Sequence, residues 1–322
     1  MTKITSFRDD ALIALDNVGD AAFSLFNPTL RLGVTGLSRA GKTVFITALI
    51  HNLLNGGRLP VFSTYAQGRL KGAVLEPQPD DGIPRFQYEN HIRKIIEEAE
   101  WPNSTRAISE LRLKISYTSA SAFSRTFGPG TLTLDIVDYP GEWLLDLPLL
   151  GKSYAEWSEE SLALSNLKNR SHLAKNWHKC LDAIDPLQPF EEMKAQELSD
   201  LFTAYLRACR EDETALSTLP PGRFLMPGDL EGSPALTFAP LPNLADKASD
   251  GSLQAMFERR FESYKSIVVK PFFREHFARI DRQIVLVDVL GAIHAGPKAV
   301  EDLRTALSDT LSAFRPGHRR IW

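Results

Sequence analysis

The chain has 322 residues, 43% hydrophobic and 24% charged, with a formal net charge of −3. That length calls for one enlarged domain or two, and so mild a charge gives no electrostatic basis for bulk nucleic-acid binding. Cys180 and Cys209 stand in no metal or redox spacing and read as reduced thiols, while the lack of a long apolar run or signal-peptide pattern predicts a cytoplasmic chain with no direct membrane insertion.

Residues 4–26 read as an amphipathic helix anchored by Phe7, Leu12, Leu15, Val18, Phe23 and Leu25. Its polar face carries Asp9, Asp10, Asp16 and Asp20, which suits packing on the main domain rather than on anionic lipid. Leu30, Leu32 and Val34 then alternate like a short strand running into Gly36. After Lys42 a helix is expected, with Val44, Phe45, Ala48, Leu49 and Leu53 on its apolar face and Gly56-Gly57 as its stop. A Gly/Pro-punctuated connection follows over 56–84, then a helix over 90–99. Residues 108–117 and 131–137 alternate apolar and polar around Gly128-Pro129-Gly130 and read as a strand pair.

From 150 to 270 the pattern changes. Helical periodicity runs around 162–181, 190–209 and 253–267, with a Pro/Gly-rich connection at 219–242. The α/β pattern resumes with a strand over 283–290 and a helix over 298–314. The expected organisation is an N-terminal helix at 1–28, an α/β first part at 29–149, a mainly helical insertion at 150–269 and an α/β continuation at 270–322. None of the seven histidines stands in a metal-ligand spacing.

Two segments carry chemistry. Gly36-Leu37-Ser38-Arg39-Ala40-Gly41-Lys42-Thr43 fits G-x-x-x-x-G-K-[ST], between a strand and a helix as a P-loop requires. Its glycines let backbone N–H groups from Gly36 through Val44, including those of Ser38, Arg39, Ala40 and Gly41, cradle phosphate oxygens at the positive end of the helix. Lys42 would neutralise the β- and γ-phosphates, and the Thr43 hydroxyl would sit on Mg²⁺. The second segment is Leu132-Thr133-Leu134-Asp135-Ile136-Val137-Asp138-Tyr139-Pro140-Gly141-Glu142, an apolar strand ending in D-x-x-G. Asp138 would hold Mg²⁺, and the Gly141 N–H would sense the γ-phosphate. Glu142 stands where Ras-like proteins use Gln to orient the attacking water. A carboxylate there could orient or weakly activate water as a catalytic residue, but it also adds negative charge beside the transferring group, so slow hydrolysis is expected.

The first switch must lie between the P-loop helix and the next strand. Ser104-Thr105-Arg106 is the candidate, Thr105 completing Mg²⁺ coordination and Arg106 acting as an arginine finger in cis; Thr64 is the alternative first-switch residue. Trp101 is a candidate to stack on the nucleotide.

The P-loop G-L-S-R-A-G-K-T, Trp101-Pro-x-Ser-Thr-Arg106, Asp138-Tyr-Pro-Gly-Glu142-Trp143 and Val287-Asp288-Val289-Leu290 together resemble the YcjX family of bacterial stress-associated P-loop GTPases. The resemblance runs through most of the chain. It implies a Ras-like G domain with a large helical addition, a GTP/GDP ligand with Mg²⁺, and a membrane-protein partner of the YcjF type that would bring a cytoplasmic protein to the inner membrane. Members of that family carry T-K-x-D to read guanine. No [NT]-K-x-D occurs in these 322 residues, and Asp246-Lys247-Ala248-Ser249 is not one. The family pattern therefore implies a missing C-terminal strand and weakened guanine selectivity.

The leading expectation is a Mg-dependent GTP-hydrolysing switch. A nucleotide-loaded interaction module with negligible hydrolysis, and a P-loop ATPase or kinase, stand as alternatives.

Overall fold

The computed structural model describes residues 28–36, 40–57, 59, 62–102, 107–120, 130–212 and 219–313. The helix expected at 4–26 lies outside these residues, as do Ser38, Arg39, Ser104, Thr105, Arg106, Gly128 and Pro129. The chain divides into two compact units. One comprises residues 1–34, 41–138 and 280–284, the other 35–40, 139–279 and 285–322.

The first unit is built on a mixed sheet with helices. Its elements are β1 (Thr29–Gly36), α1 (Lys42–Leu54), the short α2 (Ser63–Ala66), β2 (Leu70–Glu76), α3 (Tyr88–Arg93), β3 (Ser109–Tyr117), β4 (Gly130–Asp138) and β5 (Arg282–Leu286). β1 and β5 each run on past the unit's limit. The strand order is β2-β3-β4-β1-β5. β1 and β4 are parallel, with Leu32 opposite Ile136 and Val34 opposite Asp138. β3 lies antiparallel to both β4 and β2. Val34, Leu111, Leu113 and Ile136 are buried, and residues 32–36 of β1 and 134–138 of β4 are buried without a break, so both faces are covered there.

The polar positions of β3 and β4 are matched across strands. Arg112 stands opposite Asp135 and donates to both its oxygens at 2.6 and 2.7 Å, a bidentate pair. Arg31 lies 3.0 Å from the buried Glu110. Burial pushes the Glu110 carboxyl up, and the Arg31 charge opposes that.

Two expectations need correction here. The connection at 56–84 contains β2, whose residues are half-buried or exposed because it is an edge strand. α1 buries Thr43, Ile46, Thr47, Ile50 and Leu53, whereas Val44, Phe45 and Leu49 are half-buried and Ala48 is exposed. The helix therefore turns a partly polar face inward. Thr47 makes this possible, its hydroxyl donating to the Thr43 carbonyl at 2.7 Å, so no buried hydroxyl is wasted.

The second unit is mainly helical. Gly141–Gly151 forms a 3-10 stretch, followed by α4 (Tyr154–Ser165), α5 (Lys175–Leu181), α6 (Glu192–Glu211) and α7 (Leu253–Tyr264). A π-helical turn, Lys265–Val269, joins α7 to α8 (Lys270–Glu275), and α9 (Val289–Ala295) and α10 (Pro297–Ala313) close the chain's described part. α4 starts at a capping box, with Ser153 and Glu156 each holding the other's backbone N–H. α6 buries Ala195, Leu198, Phe202, Tyr205, Leu206 and Cys209 at helical spacing. That stripe faces an aromatic core in which Trp157 stacks on Phe261 with centroids 5.2 Å apart and meets Phe202 and Phe238 edge-on.

The helical stretch expected around 162–181 is broken, since α4 stops at Ser165 and α5 starts at Lys175. The strand expected over 283–290 stops at Leu286. Asp288 ends it by capping α9, accepting the Gly291 N–H at 2.8 Å, and an N-cap residue cannot also extend a strand.

Candidate functional site

β1 delivers the chain to Gly36, where a Cβ would meet Leu286 and Ala40 atoms at 3.1–3.2 Å. Glycine thus relieves a crowded turn. Gly41 caps α1 in the left-handed region, at φ 75°, a conformation that disfavours any side chain. No side chain caps α1 and no acid stands in its first turn. The backbone N–H end of a 13-residue helix is thereby left to attract an anion rather than a side-chain carboxylate.

Lys42 is the first residue of α1, and its Nζ lies 2.6 Å from Asp138 Oδ1 at the end of β4. Both side chains are buried, at 10% and 3% exposure. Thr43 is buried beside it in sequence, and Val44 is half-buried. His91 on α3 carries an imidazole held below its ordinary range by burial, with the Asp138 charge pulling the other way. The two segments singled out by sequence, Gly36 through Thr43 and Leu132 through Glu142, therefore meet at a lysine–aspartate pair.

The donor set suits a hard cation. A Thr hydroxyl and one carboxylate, with phosphate oxygens and water for the rest, is how Mg²⁺ is usually held. Asp138 is buried at the strand end and already bridged to the P-loop lysine, so its carboxylate stands at the loop that would carry the phosphates. No cluster of three or more His, Cys, Asp or Glu that could hold a metal occurs among the described residues, and a nucleotide-borne Mg²⁺ needs none.

In the other unit, Thr35 donates its hydroxyl to the Tyr139 carbonyl at 3.4 Å. Gly141 and Glu142 are buried, and the Glu142 carboxylate is ion-paired with Arg210 at 3.1 Å. Trp101 is 77% exposed, and Thr64 is half-buried in α2. Ser38, Arg39, Ser104, Thr105 and Arg106 lie outside the described residues. Sequence reasoning missed Arg210, Gly222 and Tyr264, which surround the segment after Gly141. No local motif marks them; the one hint was an acid at 142 that would need a base if buried.

The model of the YcjX-like family, DUF463, matches residues 30–322. The chain belongs to that family. It is 42% identical over 308 residues to a protein named Ras-like GTPase YcjX from Escherichia coli strain K12, covering 91% of this chain and 65% of that relative. It is 37% identical over 329 residues to a protein of the same name from Shewanella oneidensis, covering 95% of this chain and 68% of the relative. The resemblance read from the P-loop and D-Y-P-G-E-W segments is thus borne out, and the mixed sheet with its helices is consistent with a P-loop GTPase-like fold. No helix among the described residues is long and apolar enough to cross a membrane.

Proposed function

We propose that this chain binds a Mg²⁺-complexed guanine nucleotide, hydrolyses GTP slowly and acts as a molecular switch. The observation that carries this reading is the Lys42–Asp138 pair at 2.6 Å, which joins the P-loop lysine to the acid of the D-x-x-G segment. The relatives' name, Ras-like GTPase, supports it.

In this reading the backbone from Gly36 through Val44 grips the phosphates, and Lys42 exchanges Asp138 for phosphate oxygens when the nucleotide arrives. Thr43, Thr105 and Asp138 would hold Mg²⁺, which neutralises phosphate charge when bound. Ser104, Thr105, Arg106 and Gly141 would sense the γ-phosphate, and Trp101 would stack on the base. The second unit's helices act as an insertion that reads the switch. A stress role, and recruitment to a membrane through a membrane-protein partner, belong to the same proposal by family membership. Guanine selectivity rests on that membership too, because the 322 residues hold no [NT]-K-x-D.

One observation favours the second reading, a nucleotide-loaded interaction module with negligible hydrolysis. Glu142 is buried against Arg210 instead of being open to water. Steady-state hydrolysis with GTP and ATP, each competed by the other, tests both readings. Preferred GTP turnover, abolished by Lys42→Ala, supports the switch. Binding with no measurable turnover supports the module, and preferred ATP turnover overturns the guanine assignment.

A further inference from the structure

Glu142 follows Gly141 at the start of the 3-10 stretch, and its carboxylate is closed off. The side chain is 6% exposed and Oε1 lies 3.1 Å from Arg210 Nη2, in the last turn of α6. The backbone is held from a second side. A Cβ on Gly222 would collide with the Glu142 carbonyl oxygen, so residue 222 can approach this closely only as glycine. One turn on, Asp146 accepts the Gly222 N–H at 2.7 Å and the Tyr264 hydroxyl at 2.6 Å. Between them, Trp143 donates its indole N–H to the Met226 carbonyl at 3.3 Å. The Arg223 guanidinium lies 3.3 Å over the same ring. Three stretches distant in sequence therefore grip residues 142–146.

A carboxylate that orients or activates water must offer that water an oxygen within hydrogen-bond reach. Glu142 gives its oxygen to a guanidinium inside the protein. That contact holds one carboxylate oxygen on a guanidinium nitrogen, and Arg210 is itself 23% exposed, open to a change from outside. Once the arginine is withdrawn, Glu142 becomes a buried charge without its counter-ion, which is far costlier than a hydrated one. The side chain then lowers its energy by turning toward water or by taking up a proton, and the first of these brings a carboxylate to solvent.

We propose that Arg210 is a positioning residue that keeps Glu142 away from the attacking water, so that this ion pair is the off state of hydrolysis. The inference rests on the reading of the chain as a GTP hydrolase and names the regulation of that site. Movement at the end of α6, as when a partner docks on the helical unit, would release Glu142 and raise turnover without altering the phosphate grip.

The test uses the full chain with Arg210→Gln, Glu142→Gln and the double variant. Arg210→Gln is expected to raise kcat for GTP about tenfold, part of what a positioned acid–base group contributes, with KM unchanged. Adding Glu142→Gln is expected to remove the rise. In nucleotide-free protein, the amides of 142–146 should exchange faster in Arg210→Gln than in wild type. Turnover at or below the wild-type rate with GTP binding retained, a rise that survives Glu142→Gln, or unchanged exchange each overturns the proposal. Should Arg210→Gln not fold, Arg210→Lys keeps the charge but loses the planar guanidinium that reaches Glu142. It is then expected to raise kcat by less than Arg210→Gln would, and no rise overturns the proposal. A wild-type chain that binds no GTP brings down the reading of the site itself, a result distinct from unaltered kcat in a chain that does bind.

Discussion

Lys42 Nζ and Asp138 Oδ1 lie 2.6 Å apart, joining the first residue of α1 to the last of β4. A buried lysine needs a counter-charge, and without nucleotide Asp138 supplies it. In the proposed function, phosphate would take Asp138's place on Nζ and free the carboxylate for a cation. In nucleotide-free protein, Lys42→Ala is expected to lower unfolding free energy by about 3 kcal/mol, since it removes one half of a buried pair. Asp138→Asn keeps an acceptor for Nζ and is expected to cost less. Urea unfolding of both variants checks the order.

Asp146 makes stability depend on pH. Burial pushes its carboxyl up to about 6, against the Tyr264 hydroxyl, the Gly222 N–H and the Arg223 charge. The folded chain therefore holds a proton that the unfolded chain has lost between the ordinary value of 3.8 and about 6. Its contribution is fully present below 3.8 and is lost as pH rises through about 6. Relative to Asp146→Asn, wild-type stability is expected to fall by about 3 kcal/mol across that window, the linkage value for roughly two pKa units. Urea midpoints of the two proteins at stepped pH measure the difference.

Gly222→Ala is expected to destabilise by about 3 kcal/mol, at the upper end of ordinary overpacking. The added Cβ has backbone, not a flexible side-chain tip, in its way. A matched Gly251→Ala control meets no atom within 4 Å but has φ 79°, so it reports backbone strain alone. Thermal melts of the two variants separate crowding from strain.

How much of this could be read in advance depended on where the information lay. β1, β3 and β4 announce themselves because apolar residues alternate along the sequence, although residues 32–36 and 134–138 are buried on both faces. β2 does not, because Lys71 and Gly72 interrupt an edge strand with no buried residue. The inward face of α1 was misread because Thr43 and Thr47 are polar by composition yet buried, the Thr47 hydroxyl being satisfied within the helix. The pairing of Lys42 with Asp138 had a sequence signal, because G-x-x-x-x-G-K-[ST] and D-x-x-G each fix residue types at fixed spacing. Arg210, Gly222 and Tyr264 had none, since their roles arise only when segments far apart in sequence meet around residues 142–146.

Trp101 tests nucleotide stacking cleanly because it is 77% exposed. Trp101→Ala is expected to change stability by less than about 0.5 kcal/mol, as surface substitutions do. If the indole stacks on the base, GTP affinity is expected to fall about fivefold, the low end of base–aromatic stacking. Equilibrium titration with a fluorescent GTP analogue reads this directly.

The central claim is that the loop around Lys42 and the acid at Asp138 form one Mg²⁺-nucleotide site. Isothermal titration of GTP into wild type, Lys42→Ala and Asp138→Asn, with and without Mg²⁺, measures it most directly. The expected result is tight binding by wild type that weakens when Mg²⁺ is omitted, loss of binding in Lys42→Ala, and an affinity in Asp138→Asn that no longer responds to Mg²⁺. Equal GTP affinity in wild type and Lys42→Ala would contradict the account.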